Sequence, residues 1–600
     1  MKKTLPWLFL VLGIIISSII WSYISLPYEN SNTILGQYSE KKINPLNDTL
    51  RGLFFIFFPL FLYLIIFLKL NRDLLTQEIF QSQKTSSSRK IDYLCIILII
   101  FSILEFYSLN YKNFLGELDV HHEGTFLTAQ LNFFSKNKFW TGTFFDYGFL
   151  GNSIGIFFTQ IFENYSIGIQ RFSFKFLILI NKILLILICR KIVNSLDLSN
   201  KKEVVFFIFS LLTLTLANFH ENLTPFHNRI FIYLIFTLSI FSVVTSKKKN
   251  VLISFFIGSL SVLSILFYWD IGTYINFLLI IFLIFIFLLK KYDIFYKIIL
   301  GLILTWLLFF FLVPKNEFKE FLNQYFIILN VSDYLIGLEF PNPFTNGSTR
   351  HTKALLLIVF SGVFLINFIF NKVKKESFES KIMLLFLFIS SIIFFKSGLT
   401  RSDGPHIKYT SGIYTLLIYF FISYYLINII NNSKFHFILD FFLKNKYLNI
   451  LIFIIYFTFF FQNNFSNILN IFNPNKNFYR ITKLDDEKFL NKDYSNFIKI
   501  YKDLVKDELC VQQFTDDNAI AYLVNKPTCT KYYVNANILK SWTENNFIEE
   551  LIDNEPKYIL YSSSINWFKS RNNAPNADKF ILENYFLYKD LSPWIIYKKR

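Results

Sequence analysis

The sequence predicts a polytopic α-helical membrane protein of about 13 transmembrane helices, with outward interfacial helices in its first long loop and a small C-terminal α/β extracytoplasmic domain. Three observations predict it. Of the 600 residues, 53% are hydrophobic and 17% charged, and the mean hydropathy of +0.42 lies outside the soluble globular range. Thirteen apolar runs are long enough to cross about 30 Å of hydrocarbon. Lys and Arg fall in short clusters in every second connection, so the net charge of +18 reflects membrane topology and argues against nucleic acid as a partner.

The runs are 5–25, 51–70, 92–110, 168–190, 203–219, 229–245, 251–268, 273–290, 295–313, 353–371, 382–397, 408–430 and 447–461. The first follows Lys2 and Lys3 as a signal peptide would, but it is long enough to span and no small-residue cleavage site follows, so it reads as a retained helix. The clusters at Lys2–Lys3, Arg89–Lys90, Arg190–Lys202, Lys247–Lys249, Lys290–Lys291, Lys372–Lys375 and Lys444–Lys446 put the N-terminus in the cytoplasm. The alternate loops then face outward and hold most of the unusual polar groups: "DVHHEG" (119–124), "HENLTPFHNR" (220–229), "YWDIG" (268–272), "NGSTRHTK" (346–353) and "RSDGPHIK" (401–408). Five polar clusters on one side mark a site.

In the long loop 111–167, "TFLTAQLNFFSKNKF" and "YGFLGNSIGIFFTQIF" mix apolar and polar positions as helices lying along the outer membrane surface would. Residues 1–461 form the membrane domain. The tail, 462–600, falls outside and alternates helix-like stretches (496–508, 542–554) with strand-like ones (509–514, 557–562) before a final segment 586–599, the pattern of a small α/β domain. Cys510 and Cys529 both lie in it: they pair if the tail faces an oxidising compartment, or remain buried free thiols.

Asp119 and Glu123 are four residues apart, so a helix starting here would put both carboxylates on one face. Such a face suits proton abstraction from an acceptor hydroxyl, or, with His122, oxygen and nitrogen ligation of a divalent cation such as Mg or Mn. His121 and His122 add ligands or contact an anion. His227 with Arg229, Arg350 with His351, and Arg401 with His406 give three Arg/His pairs at span entrances, suited to holding a phosphate bidentately. Asp270 and Asp403 are further candidates, or neutralise neighbouring arginines. A phosphate-cradling loop, a His-Glu-x-x-His zinc pair and a Cys-x-x-Cys framework are all lacking, and the spans carry few mid-membrane charges, which counts against ion-coupled transport.

"ELDVHHEGTFLTAQ" (117–130), "LSILFYWDIGTY" (263–274), "GLTRSDGPHIKYTSG" (398–412) and the tail segment "QFTDDNAIAYLVNKPTCTKYYV" (513–534) together resemble the C-type (GT-C) integral membrane glycosyltransferases. The likeness is to the lipid-phosphate-sugar-dependent branch related to protein mannosyltransferases and aminoarabinose transferases. It implies an inverting glycosyltransferase of the inner (cytoplasmic) membrane that uses a polyprenyl-phosphate-sugar donor and a glycan, lipid or protein acceptor, working among membrane lipids. Asp119 matches the leading acidic position of that family, with Glu123 as neighbour, and Arg401 and His406 match its later basic element; Arg229 and Arg350 are weaker phosphate candidates. Asp-Val-His-His-Glu replaces the family's closer acidic pair, leaving open which carboxylate is the base and whether a metal is used. A lipid or sugar flippase, or a non-catalytic component of a polysaccharide assembly system, are the rival expectations.

Overall fold

The computed structural model describes residues 4–28, 36–71, 88–109, 111–198, 201–220, 224–246, 250–370, 376–432, 454–455, 457–458, 480–540, 542–562 and 573–600. Among them, ten helices are long and apolar enough to cross a membrane: Leu5–Tyr23, Leu46–Leu70, Arg89–Ser108, Ile167–Asn194, Asn228–Thr245, Trp269–Leu288, Tyr292–Leu312, Thr349–Ile369, Phe378–Thr400 and Gly412–Ile430. The protein is a multi-pass helical membrane protein. The expected thirteen spans are not all found. Run 203–219 is helical only over Lys202–Leu214, because the chain then turns back: the Phe226 amide donates to the Leu216 carbonyl, and Asn218 accepts from the His220 amide. Run 251–268 forms the 17-residue helix Val251–Phe267, and 447–461 falls almost wholly outside the described residues.

Apolar packing and small residues join the spans. Helices Val251–Phe267 and Tyr292–Leu312 cross where Gly258 meets the Ile298 carbonyl and Gly301 meets the Phe255 carbonyl; a Cβ on either glycine would lie 2.0 or 2.1 Å from that oxygen. Tyr292–Leu312 leaves Leu307, Leu308, Phe310, Phe311 and Leu312 exposed, as a lipid-facing helix does. Helices Arg89–Ser108 and Ile167–Asn194 are tied by a buried pair, Lys182 Nζ donating to Glu105 Oε2 at 2.6 Å, with the ammonium over the Phe219 ring. Pairing offsets the cost of burying each charge alone.

The tail holds a four-stranded mixed sheet of β1 (Gln512–Phe514), β2 (Tyr558–Ser562), β3 (Tyr585–Leu591) and β4 (Trp594–Lys599), in the order β1-β2-β4-β3. β1 runs parallel to β2, pairing Gln512 with Ile559, while β2–β4 and β4–β3 are antiparallel. Helices Lys492–Leu504, Glu544–Asn554 and Pro575–Asn584 accompany it. A disulfide joins Cys510 to Cys529, with Cα atoms 5.0 Å apart.

The first long loop forms helices His122–Lys136 and Phe149–Phe162. The first is not an open surface helix: every residue from Gly124 to Asn132 is buried. The tail covers it. Thr128 Oγ1 donates to the Asn518 carbonyl at 2.6 Å, Asn132 exchanges hydrogen bonds with Thr528, and a Cβ on Gly124 would lie 2.5 Å from the Ala519 nitrogen. Its polar Thr and Asn positions face tail backbone rather than water.

Candidate active site

The site begins at the turn before helix His122–Lys136. Asp119 precedes that helix, so the two carboxylates do not share a helical face as the spacing suggested. Asp119 Oδ1 accepts the amide hydrogens of His121 (3.2 Å) and His122 (2.8 Å), and Oδ2 lies 2.8 Å from His122 Nδ1. Burial works against the Asp119 charge, but the His122 hydrogen bond and charge overcome it and hold the carboxyl at about 2. The His122 imidazole is raised above its ordinary value, chiefly by the hydrogen bond to Asp119, against burial and the nearby Arg401 charge. Asp119 and His122 side chains are 51% and 60% exposed.

Glu123 has a different environment. Arg171, in the first turns of helix Ile167–Asn194, donates Nε and Nη2 to its two oxygens at 2.6 Å each, and the same guanidinium donates to the carbonyls of Phe114, Gly116 and Glu117. Glu123 Oε2 also accepts the Asp119 amide. A bidentate pair that closes the 114–117 loop is a structural clasp. His121 turns toward the tail, its Nδ1 3.3 Å from the Asp516 carbonyl and its own carbonyl accepting from Asn518 Nδ2.

The short helix Gly404–Thr410 brings the basic groups opposite. Asp403 caps it, Oδ1 accepting the His406 amide and lying 2.6 Å from His406 Nδ1. Burial opposes the Asp403 charge, but these bonds keep the carboxyl at about 2, while burial and Arg401 push His406 down despite Asp403. A neutral imidazole donating to a carboxylate results. Arg401 Nε comes no closer than 3.5 Å to Asp403 Oδ2, and among the described residues it has no hydrogen-bond partner. Arg350 is exposed, and its guanidinium lies against Gly404, where a Cβ would sit 2.1 Å from Nη1. His351 contacts the Ser402 carbonyl at 2.6 Å and buttresses the same turn.

Arg229 is more committed. Its Nη2 donates to Asp270 Oδ1 at 2.6 Å, and its guanidinium lies 4.6 and 5.0 Å from the Tyr147 and Tyr268 ring centres. His227 Nδ1 accepts the Arg229 amide, and the His227 ring packs 4.5 Å from that of Tyr409; burial and the Arg229 charge push its imidazole down to about 3. These groups form one electrostatic neighbourhood. Arg401 acts on His122, Tyr147, His406 and Tyr409, and the charge of Asp119 reaches Tyr409.

The candidate cation ligands Asp119, Glu123 and His122 do not converge, because Arg171 occupies Glu123 and His122 is turned onto Asp119. Among the described residues, no three His, Cys, Asp or Glu side chains form a metal-binding group. The residues therefore do not fit a Mg or Mn cage. Sequence reading missed Arg171, Tyr147 and Tyr409. An arginine opening an apolar run reads as snorkelling, and only the fold reveals its partner 48 residues away.

No protein-family model matches the chain, and no curated protein does. Among solved structures, ArnT from Cupriavidus metallidurans bound to undecaprenyl phosphate is similar with a TM-score of 0.47 at 10% identity, over 84% of this chain and 98% of that one. The same protein in the apo state gives 0.45 at 11%, over 85% and 98%. The Archaeoglobus fulgidus oligosaccharyltransferase in complex with Zn and sulfate gives 0.42 at 10%, over 84% and 73%.

Proposed function

We propose that the chain is a membrane glycosyltransferase that moves a sugar from a polyprenyl-phosphate donor to an acceptor hydroxyl at the outer face of the cytoplasmic membrane. The observation that carries this reading is an exposed imidazole oriented by a carboxylate, His122 on Asp119, within reach of the charge of Arg401, whose Nε has no hydrogen-bond partner among the described residues and stands 3.5 Å from Asp403 Oδ2. A proton acceptor near a cation is the pair that displacement of a phosphate by a hydroxyl requires. The resemblance of 117–130, 263–274 and 398–412 to lipid-phosphate-sugar transferases supports the donor class. The disulfide supports an oxidising surrounding for the tail, hence a tail outside the cytoplasm.

Both Asp119 oxygens are occupied and its carboxyl is held low, so it orients the imidazole and stabilises the imidazolium that forms rather than receiving the proton itself. The acceptor hydroxyl gives its proton to His122 Nε2 as its oxygen bonds to the anomeric carbon. The bond from that carbon to the donor phosphate oxygen breaks, and the phosphate keeps the electron pair. Arg401 and Arg350 hold the leaving phosphate, His406 stands behind them on Asp403, and Arg229 braces the wall through Asp270. One displacement inverts the anomeric configuration.

Purified protein in liposomes, given a panel of radiolabelled polyprenyl-phosphate sugars and mixed acceptors, tests the reading beside Arg401→Ala. Label moved by the native protein and not by the variant is expected. A folded native protein that moves none, yet carries the lipid across the bilayer, overturns it in favour of a flippase.

A further inference from the structure

The segment that leads into Asp119 also borders the tail. There Glu117, Leu118 and Val120 line one side of a cavity of about 230 Å³, closed by Phe489, Asn491, Tyr494, Asp517 and Trp594 of the tail. Its chemistry is uniform in kind. Three aromatic rings supply apolar walls. Trp594 is held rigid by a parallel stack on Phe497, centroids 4.2 Å apart and planes 9° apart, with Tyr494 beside it at 5.4 Å. The polar groups are a carboxylate and an amide at the exposed rim, Asn491 Nδ2 donating to Glu117 Oε1 at 2.6 Å, and a buried carboxyl at the floor, Asp517, which accepts the Tyr494 hydroxyl at 2.7 Å. Burial pushes Asp517 up to about 7 against the hydrogen bonds from Tyr494 and Trp594, so near neutral pH it donates as well as accepts.

Rings beside carboxyl and amide edges match the alternating C–H faces and hydroxyl rims of a sugar. Other ligands match less well. None of the described residues lining the cavity is Lys or Arg, so nothing there neutralises a phosphate, and the Glu117 carboxylate at the rim repels it. Among the described residues no metal-binding group exists. The volume is below the ~300–1,000 Å³ of sites for drug-sized ligands, which leaves room for a single ring and no lipid tail.

The position ties the cavity to the reaction. Glu117 is two residues from Asp119, so their Cα atoms are at most about 7 Å apart. Val120 adjoins His121, and Asp517 lies between Asp516 and Asn518, the two residues that hold His121. We infer that this cavity is a saccharide subsite, in which one sugar of a glycan acceptor docks while a hydroxyl of the neighbouring sugar reaches His122. The inference rests on the transferase reading and narrows its acceptor to a carbohydrate chain.

Full-length protein in nanodiscs is titrated with linear trisaccharides of glucose, N-acetylglucosamine, mannose and xylose by saturation-transfer difference NMR, alongside Trp594→Ala and Glu117→Gln. Glu117 sits on the exposed rim, so its variant is expected to keep the native melting temperature. At least one trisaccharide should bind the native protein, and either substitution should weaken it at least about tenfold, a loss of ~1.4 kcal/mol. In the transfer assay that acceptor's KM should rise similarly, with the donor KM unchanged. Binding of none of the four, or equal binding by native and Glu117→Gln protein, overturns the subsite. Trp594-dependent binding without transfer from any donor leaves the subsite standing and removes the transferase reading; transfer with an unchanged acceptor KM in Glu117→Gln does the reverse.

Discussion

Asp119 and Glu123 lie four residues apart in one motif and end in opposite circumstances. Glu123 is mostly enclosed, both oxygens taken by Arg171, whose remaining donors close a loop of backbone carbonyls. Asp119 is half exposed, and its partner is an imidazole that itself faces outward. On the proposed mechanism, Glu123 braces the site and Asp119 serves the chemistry. The lesson is that an acidic motif at a membrane surface divides its labour according to what the next element brings: an always-charged arginine makes a clasp, and a titrating histidine makes a proton acceptor.

That contrast can be broken from either side. The largest effect is expected at the acting end: Asp119→Asn should lower transfer about 10²- to 10⁴-fold with an unchanged melting temperature, read by single-turnover transfer of labelled sugar. Next, Arg171→Ala should strand the Glu123 carboxylate in its pocket and cost about 3 kcal/mol, read by denaturant unfolding in detergent. Reduction of Cys510–Cys529, which closes a loop of sequence separation 19, should cost about the same ~3 kcal/mol on the chain-entropy account and appear as a lower melting temperature under reductant.

The pH profile sharpens the acting side. A base whose pKa is raised in the folded protein is protonated, and so idle, until pH climbs past that raised value. The acid limb of the native rate should therefore lie above 6.5, and Arg401→Ala, which removes a charge that lowers His122, should raise the His122 imidazole further in an NMR titration. Gly404→Ala should give the smallest change. Its methyl displaces the Arg350 guanidinium rather than backbone, so donor KM should rise several-fold, about 1 kcal/mol, with stability unaffected.

Much of this was legible in the chain. The apolar runs and the alternation of basic clusters are one-dimensional signals, and "RSDGPHIK" already paired Arg401 with His406; that Asp403 caps the next turn and holds His406 came from the fold. What escaped depends on distant partners. The polar face of His122–Lys136 reads as surface-seeking until Asn518 and Thr528, some 390 residues on, are seen to cover it. The cavity beside Glu117 needs the tail to fold over the first loop. The shortening of 203–219 follows from hydrogen bonds made after the chain turns, which hydropathy does not register.

The most direct test sets Asp119→Asn beside Glu123→Gln, measuring single-turnover transfer per folded molecule and thermal stability of each in the same lipid. The account predicts an inactive, native-stable Asp119→Asn and a destabilised Glu123→Gln that keeps transfer within about fivefold of native. A fully active Asp119→Asn, or a stable but inactive Glu123→Gln, would contradict it and reassign the chemistry to the other carboxylate.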